Sequence, residues 1–297
     1  MATAERVETA VAARAVPRRR VKSWPVLVFS VLGIVFFVVF MLFPFYWMLV
    51  VSLKTNTDLY RVTQNPFTIP QATLSHYSYL FTKTEFPRWV VNSIIVSVVS
   101  CGGSLVFSVF AGYSLARLRY RGAGVLGWAM FITYLVPPTV LFLPLTAAMA
   151  QFHLLNNLWA LMLSYPTFLI PFCTWLLMGY FKGIPRELEE SAVVDGCTRL
   201  QAMLRIAIPL AIPGILSAAI FAFTLSWNEY LYALSLVSNS ALKTVPYGVP
   251  SELIRDDAFF WGELMAAALL GSVPVAVLYS FFVNHFVEGI TAGAVKG

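Results

Sequence analysis

Read only for apolar and polar positions, the chain contains five long stretches without Asp, Glu, Lys or Arg: Ser23 to Leu53, Trp89 to Ala116, Gly122 to Phe181, Ile206 to Asn228 and Leu264 to Val287. A helix crossing the hydrocarbon of a bilayer needs about 20 mostly apolar residues, so four runs hold one span each and the third holds two. The pattern therefore predicts six transmembrane helices, at about 25–51, 89–115, 123–148, 158–181, 210–231 and 264–286. They form one transmembrane domain over 23–287, with a basic tail at 1–22, a loop at 183–209 and a C-terminal tail at 288–297. The fold class is all-α integral membrane. The first run is longer than a signal-peptide core of about 7 to 15 residues and no small-residue cleavage site follows, so it reads as a retained span.

Composition agrees, with 59% hydrophobic and only 11% charged residues against about 25% charged in a soluble domain. A soluble globule is excluded. The net charge of +6 would suit a nucleic-acid partner, but the basic residues flank apolar runs instead of mixing with stacking aromatics. Fourteen of the 20 Lys and Arg fall in the N-terminal tail, after the second and fourth spans, and at the C-terminus. By the positive-inside rule, both termini are cytoplasmic. Cys101, Cys173 and Cys197 are dozens of residues apart, which argues against disulfides and a metal site.

Prolines punctuate the spans. Pro137, Pro138, Pro144, Pro166 and Pro171 each remove or strain a helical hydrogen bond, so kinks are expected, either as ordinary packing or lining a cavity. Outside, Ser75, His76, Tyr77, Leu80 and Phe81 suggest a short interfacial helix, and Asn239 to Gly262 reads as a polar, turn-rich loop. Glu229, near the outer end of the fifth span, either lies at headgroup level or faces a polar path. Ala267 and Gly271 have the spacing of tight helix packing.

The cytoplasmic loop is the most informative segment. Glu187, Glu189 and Glu190 complement the positive end of a short helix opened by Pro185 and stopped by Gly196. A second helix starts at Thr198, which forms a capping box with Gln201, and runs to a break at Pro209. Leu188, Ala192, Leu200, Met203, Leu204 and Ala207 recur at helical spacing. That apolar face packs either on the protein's own surface or in a partner's groove.

Glu190-Ser191-Ala192, three residues, Gly196, nine residues, then Ile206-Ala207-Ile208-Pro209 resembles the EAA motif of ABC importer permeases, E-A-A, three residues, G, nine residues, I-x-L-P. Ser191 replaces the usual Ala and Ile208 the usual Leu; Asp195 is also common there. Asn92-Ser93, the stretch Ala111 to Arg119, Trp227-Asn228-Glu229 and the tail Gly289 to Gly297 resemble the carbohydrate-uptake branch. Within it, the chain is similar to the smaller permease of maltose-type systems.

The resemblance implies a type I importer permease and not an enzyme: half of a path for a sugar, whether oligosaccharide, disaccharide, polyol or glycoside, in a bacterial or archaeal cytoplasmic membrane. Its implied partners are a second permease, two cytoplasmic ATPase subunits and an extracytoplasmic sugar-binding protein. ATP and Mg would sit on the ATPases, since this chain lacks the G-x-x-x-x-G-K-[ST] phosphate loop and binds no cofactor of its own. Glu190, Ser191, Ala192, Asp195, Gly196, Ile206 and Pro209 would couple to an ATPase, and Thr291, Gly293, Lys296 and Gly297 would reach toward it. Trp227, Asn228, Glu229 and Tyr230 are candidate path residues, because sugars are held by stacking and hydrogen bonds. Tyr247, Gly248, Pro250 and Arg255 lie in a loop facing the binding protein. The competing class is a self-sufficient secondary transporter or channel, which usually carries ionisable relay residues in its spans. Only Glu229 and His285 qualify here.

Overall fold

The computed structural model describes residues 24–61, 63, 65–255 and 258–294. The chain divides into two units, one ending at Trp47 and one beginning at Met48. Helix α1 (Trp24–Leu53) runs through that boundary. Up to Trp47 it is apolar all round and carries the stacked pairs Phe36/Phe40 and Phe43/Trp47 at 6.2 and 6.3 Å. A helix without a polar face belongs in lipid or deep inside protein.

In the second unit, α2 (Asn56–Leu59) and α3 (Ser75–Lys83) precede the long α4 (Phe86–Arg117). Next come α5 (Ala123–Leu135), α6 (Pro138–Gln151), α7 (Leu158–Ser164) and α8 (Pro166–Gly183). The loop after α8 holds α9 (Glu187–Val194) and α10 (Arg199–Ala202), which passes through a π turn (Met203–Ala207) into α11 (Ile208–Trp227). Last are α12 (Leu231–Leu236), α13 (Val245–Leu253), the two-residue strands β1 (Ile254–Arg255) and β2 (Ala258–Phe259), and α14 (Trp261–Ala294). Among the described residues, five helical segments are long and apolar enough to cross a membrane, and six if α5 and α6 count as one.

The core is a helix pair fitted at close range. Leu161, Tyr165, Leu169, Cys173, Leu177 and Phe181 form one fully buried row along α7 and α8, four residues apart, the spacing of a packing ridge. Against α8 lies α4, whose buried stripe is small: Ser93, Ser97, Ser100, Ser104, Ser108 and Gly112. In lipid, small residues let helix backbones approach and add interhelical hydrogen bonds. Ser108 donates to the Ile170 carbonyl at 3.2 Å, and a Cβ on Gly112 would lie 3.1 Å from the backbone nitrogen of Met178.

Two expectations change in detail. The third apolar segment bends far more sharply than an ordinary kink: α5 and α6 meet at 94°, as a broken span or a re-entrant loop. Two consecutive prolines, Pro137 and Pro138, open α6 and cannot donate the hydrogen bonds that would carry α5 straight on. Conversely, the chain does not break at Pro209. That residue follows closely on a π turn, whose wider bonding, with the Ile208 amide reaching the Met203 carbonyl, makes room for the proline and keeps the path helical. Similarly, Pro185 lies just before α9 and not within it.

At the opposite end from the loop, around the start of α4, Leu80, Phe86, Trp89, Val245, Leu253, Ala266 and Ala267 form a second core. The segment read as a polar loop is therefore largely ordered structure: α13 followed by a β1/β2 hairpin pairing Ile254 with Phe259. Its apolar side chains alternate with prolines, which hides the helical period. Gly248 makes this packing possible, since a Cβ there would fall 2.4 Å from the Trp89 ring. His76, almost fully buried, ties α3 to α14 through its Nδ1, 3.0 Å from Glu263, while its Nε2 lies 2.7 Å from the Lys54 carbonyl. Both partners can accept from the ring, and the hydrogen bond to Glu263 raises the His76 pKa above the ordinary value of 6.5.

Candidate coupling surface

The EAA-like segment folds as two short helices joined by a tight reversal. Three glutamates in the first turn of α9 favour its positive end. At its other end the Cys197 amide donates to the Ala192 carbonyl (3.0 Å) and the Gly196 amide to Val193 (3.1 Å). This paired closure needs a left-handed residue, and Gly196 supplies it at φ +93°. Thr198 then opens α10 with the expected reciprocal box: Gln201 N–H to Thr198 Oγ1 at 3.3 Å, Thr198 N–H to Gln201 Oε1 at 2.9 Å.

The three glutamates are not equivalent. Glu187 and Glu190 are exposed, while Glu189 turns inward and is buried. Its Oε1 meets Arg117 Nε at 2.8 Å and its Oε2 accepts a hydrogen bond from the Tyr113 hydroxyl at 2.7 Å. Arg117 also donates to the Ile184 carbonyl (2.7 Å), and Arg186 of the loop donates back to the Ala116 carbonyl (3.2 Å). The C-terminal end of α4 thus grips the loop at three residues, Tyr113, Ala116 and Arg117. Beside this grip lies a cavity of about 520 Å³ bordered by Arg119, Arg186, Glu190 and Arg199.

The residues proposed for coupling fall mostly on the outward side. Glu190, Ser191, Asp195, Gly196 and Pro209 are exposed, and Ala192 and Ile206 are half-buried. Val194, which the pattern did not single out, is 86% exposed. Of the apolar residues read as one face, Met203 and Ala207 are buried while Leu188, Leu200 and Leu204 remain open, so the face is divided between core and surface. The importance of Glu189 was missed. Its signal was faint but present: it shares a helix face with Ala192, and Tyr113 and Arg117 stand one turn apart where α4 ends.

Elsewhere the candidates separate. Trp227 is buried and its Nε1 donates to the Gly271 carbonyl at 3.2 Å. Glu229 serves as the cap of α12, accepting from the amides of Tyr232 (2.9 Å) and Ala233 (3.2 Å) and from the Tyr165 hydroxyl (3.2 Å). Asn228 and Tyr230 stay exposed, Asn228 donating to the Thr224 carbonyl. Tyr230 meets Tyr247 edge to face at 6.0 Å, with the Lys243 ammonium 5.0 Å from the Tyr247 ring centre. Gly248 and Pro250 lie within α13, and Arg255 pairs with Glu252 at 3.3 Å. The backbone of Thr291 and Gly293 is helical within α14; their side chains, and Lys296 and Gly297 entirely, lie outside the described residues.

Residues 104–292 match the family of binding-protein-dependent transport system inner membrane components. The chain belongs to this family. The match includes the whole coupling surface, from the inner half of α4 to the end of α11. Among relatives, the sulfoquinovosyl glycerol transport system permease protein SmoH of Agrobacterium fabrum is 39% identical over 86% of this chain and 89% of its own. The diacetylchitobiose uptake system permease protein DasC of Streptomyces coelicolor is 33% identical, over 93% and 98%. The fold matches a chain from the crystal structure of a bacterial ABC transporter that imports alginate, with a TM-score of 0.75 over 91% of this chain, 98% of that chain and 20% identity. Family membership makes this a multi-pass membrane protein and a transport component, the ABC importer permease fold expected from the EAA-like spacing.

Proposed function

We propose that this chain is one of two permeases in an ATP-driven sugar importer and that it couples transport to two separate ATPase subunits through α9. The observation that carries the reading is the coupling surface. An EAA-spaced helix presents Glu190, Ser191 and Val194 to the cytoplasm while its inner side is fixed to α4 by Glu189. Glu190 would meet a basic residue of the ATPase, and Ala192 and Gly196 would permit close approach. ATP and Mg belong on the ATPases and no cofactor on this chain. Both termini would lie in the cytoplasm by the distribution of basic residues, and the C-terminal segment from Thr291 to Gly297 would reach toward the ATPase pair.

Sugar as cargo is supported by the names of the relatives, two of which serve sulfoquinovosyl glycerol and diacetylchitobiose. Asn228 and Tyr230 remain the path residues most open to a solute, and Tyr247 to Arg255 is the segment offered to an external sugar-binding protein. A secondary transporter is the weaker reading, because Glu229, one of its two candidate relays, is already committed to capping α12.

The test is purification of the tagged chain from its native membrane in mild detergent, followed by mass spectrometry of its stoichiometric companions. A second permease and an ATPase are expected. Recovery of the chain alone or as a homo-oligomer, with no ATPase even after cross-linking, would overturn the proposal.

A further inference from the structure

How does a push on α9 reach the membrane? Helix α9 has eight residues, too few to hold its own shape in water, so its orientation comes from whatever fastens it. One route out of the loop is continuous helix: α10, the π turn and α11. The other is polar and discrete. Every long-range side-chain hydrogen bond or ion pair described for 184–190 ends on the last turns of α4, at Tyr113, Ala116 or Arg117.

We propose that Tyr113, Arg117 and Glu189 form the joint that transmits movement of the coupling loop into the second span. This rests on the importer reading above and adds residues that the EAA-like spacing does not contain. The chemistry suits a joint. Arg117 bridges the Glu189 carboxylate and the Ile184 carbonyl, and so holds both the helix and the strand of chain leading into it. The Tyr113 hydroxyl takes the second carboxylate oxygen, fixing the carboxylate plane. The side chains of Arg117 and Glu189 are 5% and 12% exposed, so salt and water screen the pair little. A carboxylate held at each oxygen by a separate donor, one of them charged, resists rotation as well as separation. Because α4 packs along α8 and α11, a displacement accepted by this joint moves the core of the domain.

These are positioning residues and touch neither nucleotide nor cargo. The experiment uses the whole complex in nanodiscs, with Cys197→Ser removing a half-buried thiol and Arg88→Cys, at the far outer end of α4, as reporter. The labelling rate of that cysteine by a water-soluble maleimide is compared with and without ATP plus vanadate. ATP and vanadate should change the rate in the parent. Glu189→Gln and Arg117→Gln should each lose about tenfold of that response, within the range that coupling between sites covers, while trapping the same amount of nucleotide. Tyr113→Phe should lose less. Exchanging the charges, Arg117→Glu with Glu189→Arg, should recover part of the response, which a merely structural role would not predict. An unchanged response in the single variants, or none in the parent although nucleotide is trapped, overturns the joint. A parent complex that holds no ATPase instead overturns the importer reading, so the two failures are distinct.

Discussion

Replacing Glu263 with Gln isolates the clamp between α3 and α14. The imidazolium of His76 is held between a carboxylate and the Lys54 carbonyl, with only 1% of its side chain exposed. Breaking one side of a buried pair typically costs about 3–5 kcal/mol. The lower end applies here, because the Lys54 carbonyl still accepts from the ring and the ring can give up its second proton. A loss of about 3 kcal/mol corresponds to roughly a hundredfold in a local opening equilibrium. Amide hydrogen exchange over residues 74–84 reads that opening directly. In the parent protein the sign with pH is fixed by the raised His76 pKa. The contribution is complete below the unfolded value of 6.5 and is lost as pH rises through the higher folded value. After correction for intrinsic exchange, protection of α3 should fall as pH climbs above 6.5 in the parent and stay nearly flat in Glu263→Gln. Equal protection in the two proteins at pH 6, or a parent profile without slope, would refute the ion-pair account.

Three further outcomes are expected. Glu190→Lys should lower recovery of the ATPase with the chain while leaving its thermal melt unchanged, since the side chain is exposed; co-purification read by gel densitometry checks the first half and a melting curve in detergent the second. Gly248→Ala, whose new Cβ would enter the Trp89 ring, should destabilise the outer core by about 1–3 kcal/mol, visible as a lower melting temperature in detergent. Glu229→Gln removes one of the two capping acceptors of α12 and should cost about 1 kcal/mol while leaving transport indifferent to a collapsed proton gradient, measured with and without a protonophore.

Much of this architecture is legible because lipid is an exacting solvent: charge must leave the spans, so five uncharged runs mark their positions without any partner being known. The coupling loop is legible for a different reason. Its caps are local, and Gly196, Thr198 and Gln201 announce a stop and a start within three or four residues. What pattern cannot reach is pairing at long range. Glu189 looks like one more solvated glutamate beside Glu190 until the fold returns Tyr113 and Arg117 from more than seventy residues away. Glu229 shows the reverse. An acid near a span suggests transport chemistry, yet its oxygens are occupied by the amides that follow it in sequence. The 94° turn between α5 and α6 was visible only as paired prolines, whose presence predicts a disturbance but not its angle.

On the importer reading proposed above, this chain moves a solute only when a separate ATPase acts on α9. The most direct measurement reconstitutes the purified complex in proteoliposomes, with ATP inside and sugar-loaded binding protein outside, and follows the vesicle contents by mass spectrometry. Sugar should accumulate with ATP and binding protein together, fail when either is withheld, and fall sharply in Glu190→Lys. Accumulation driven by an ion gradient alone, without ATP or ATPase, would contradict the claim.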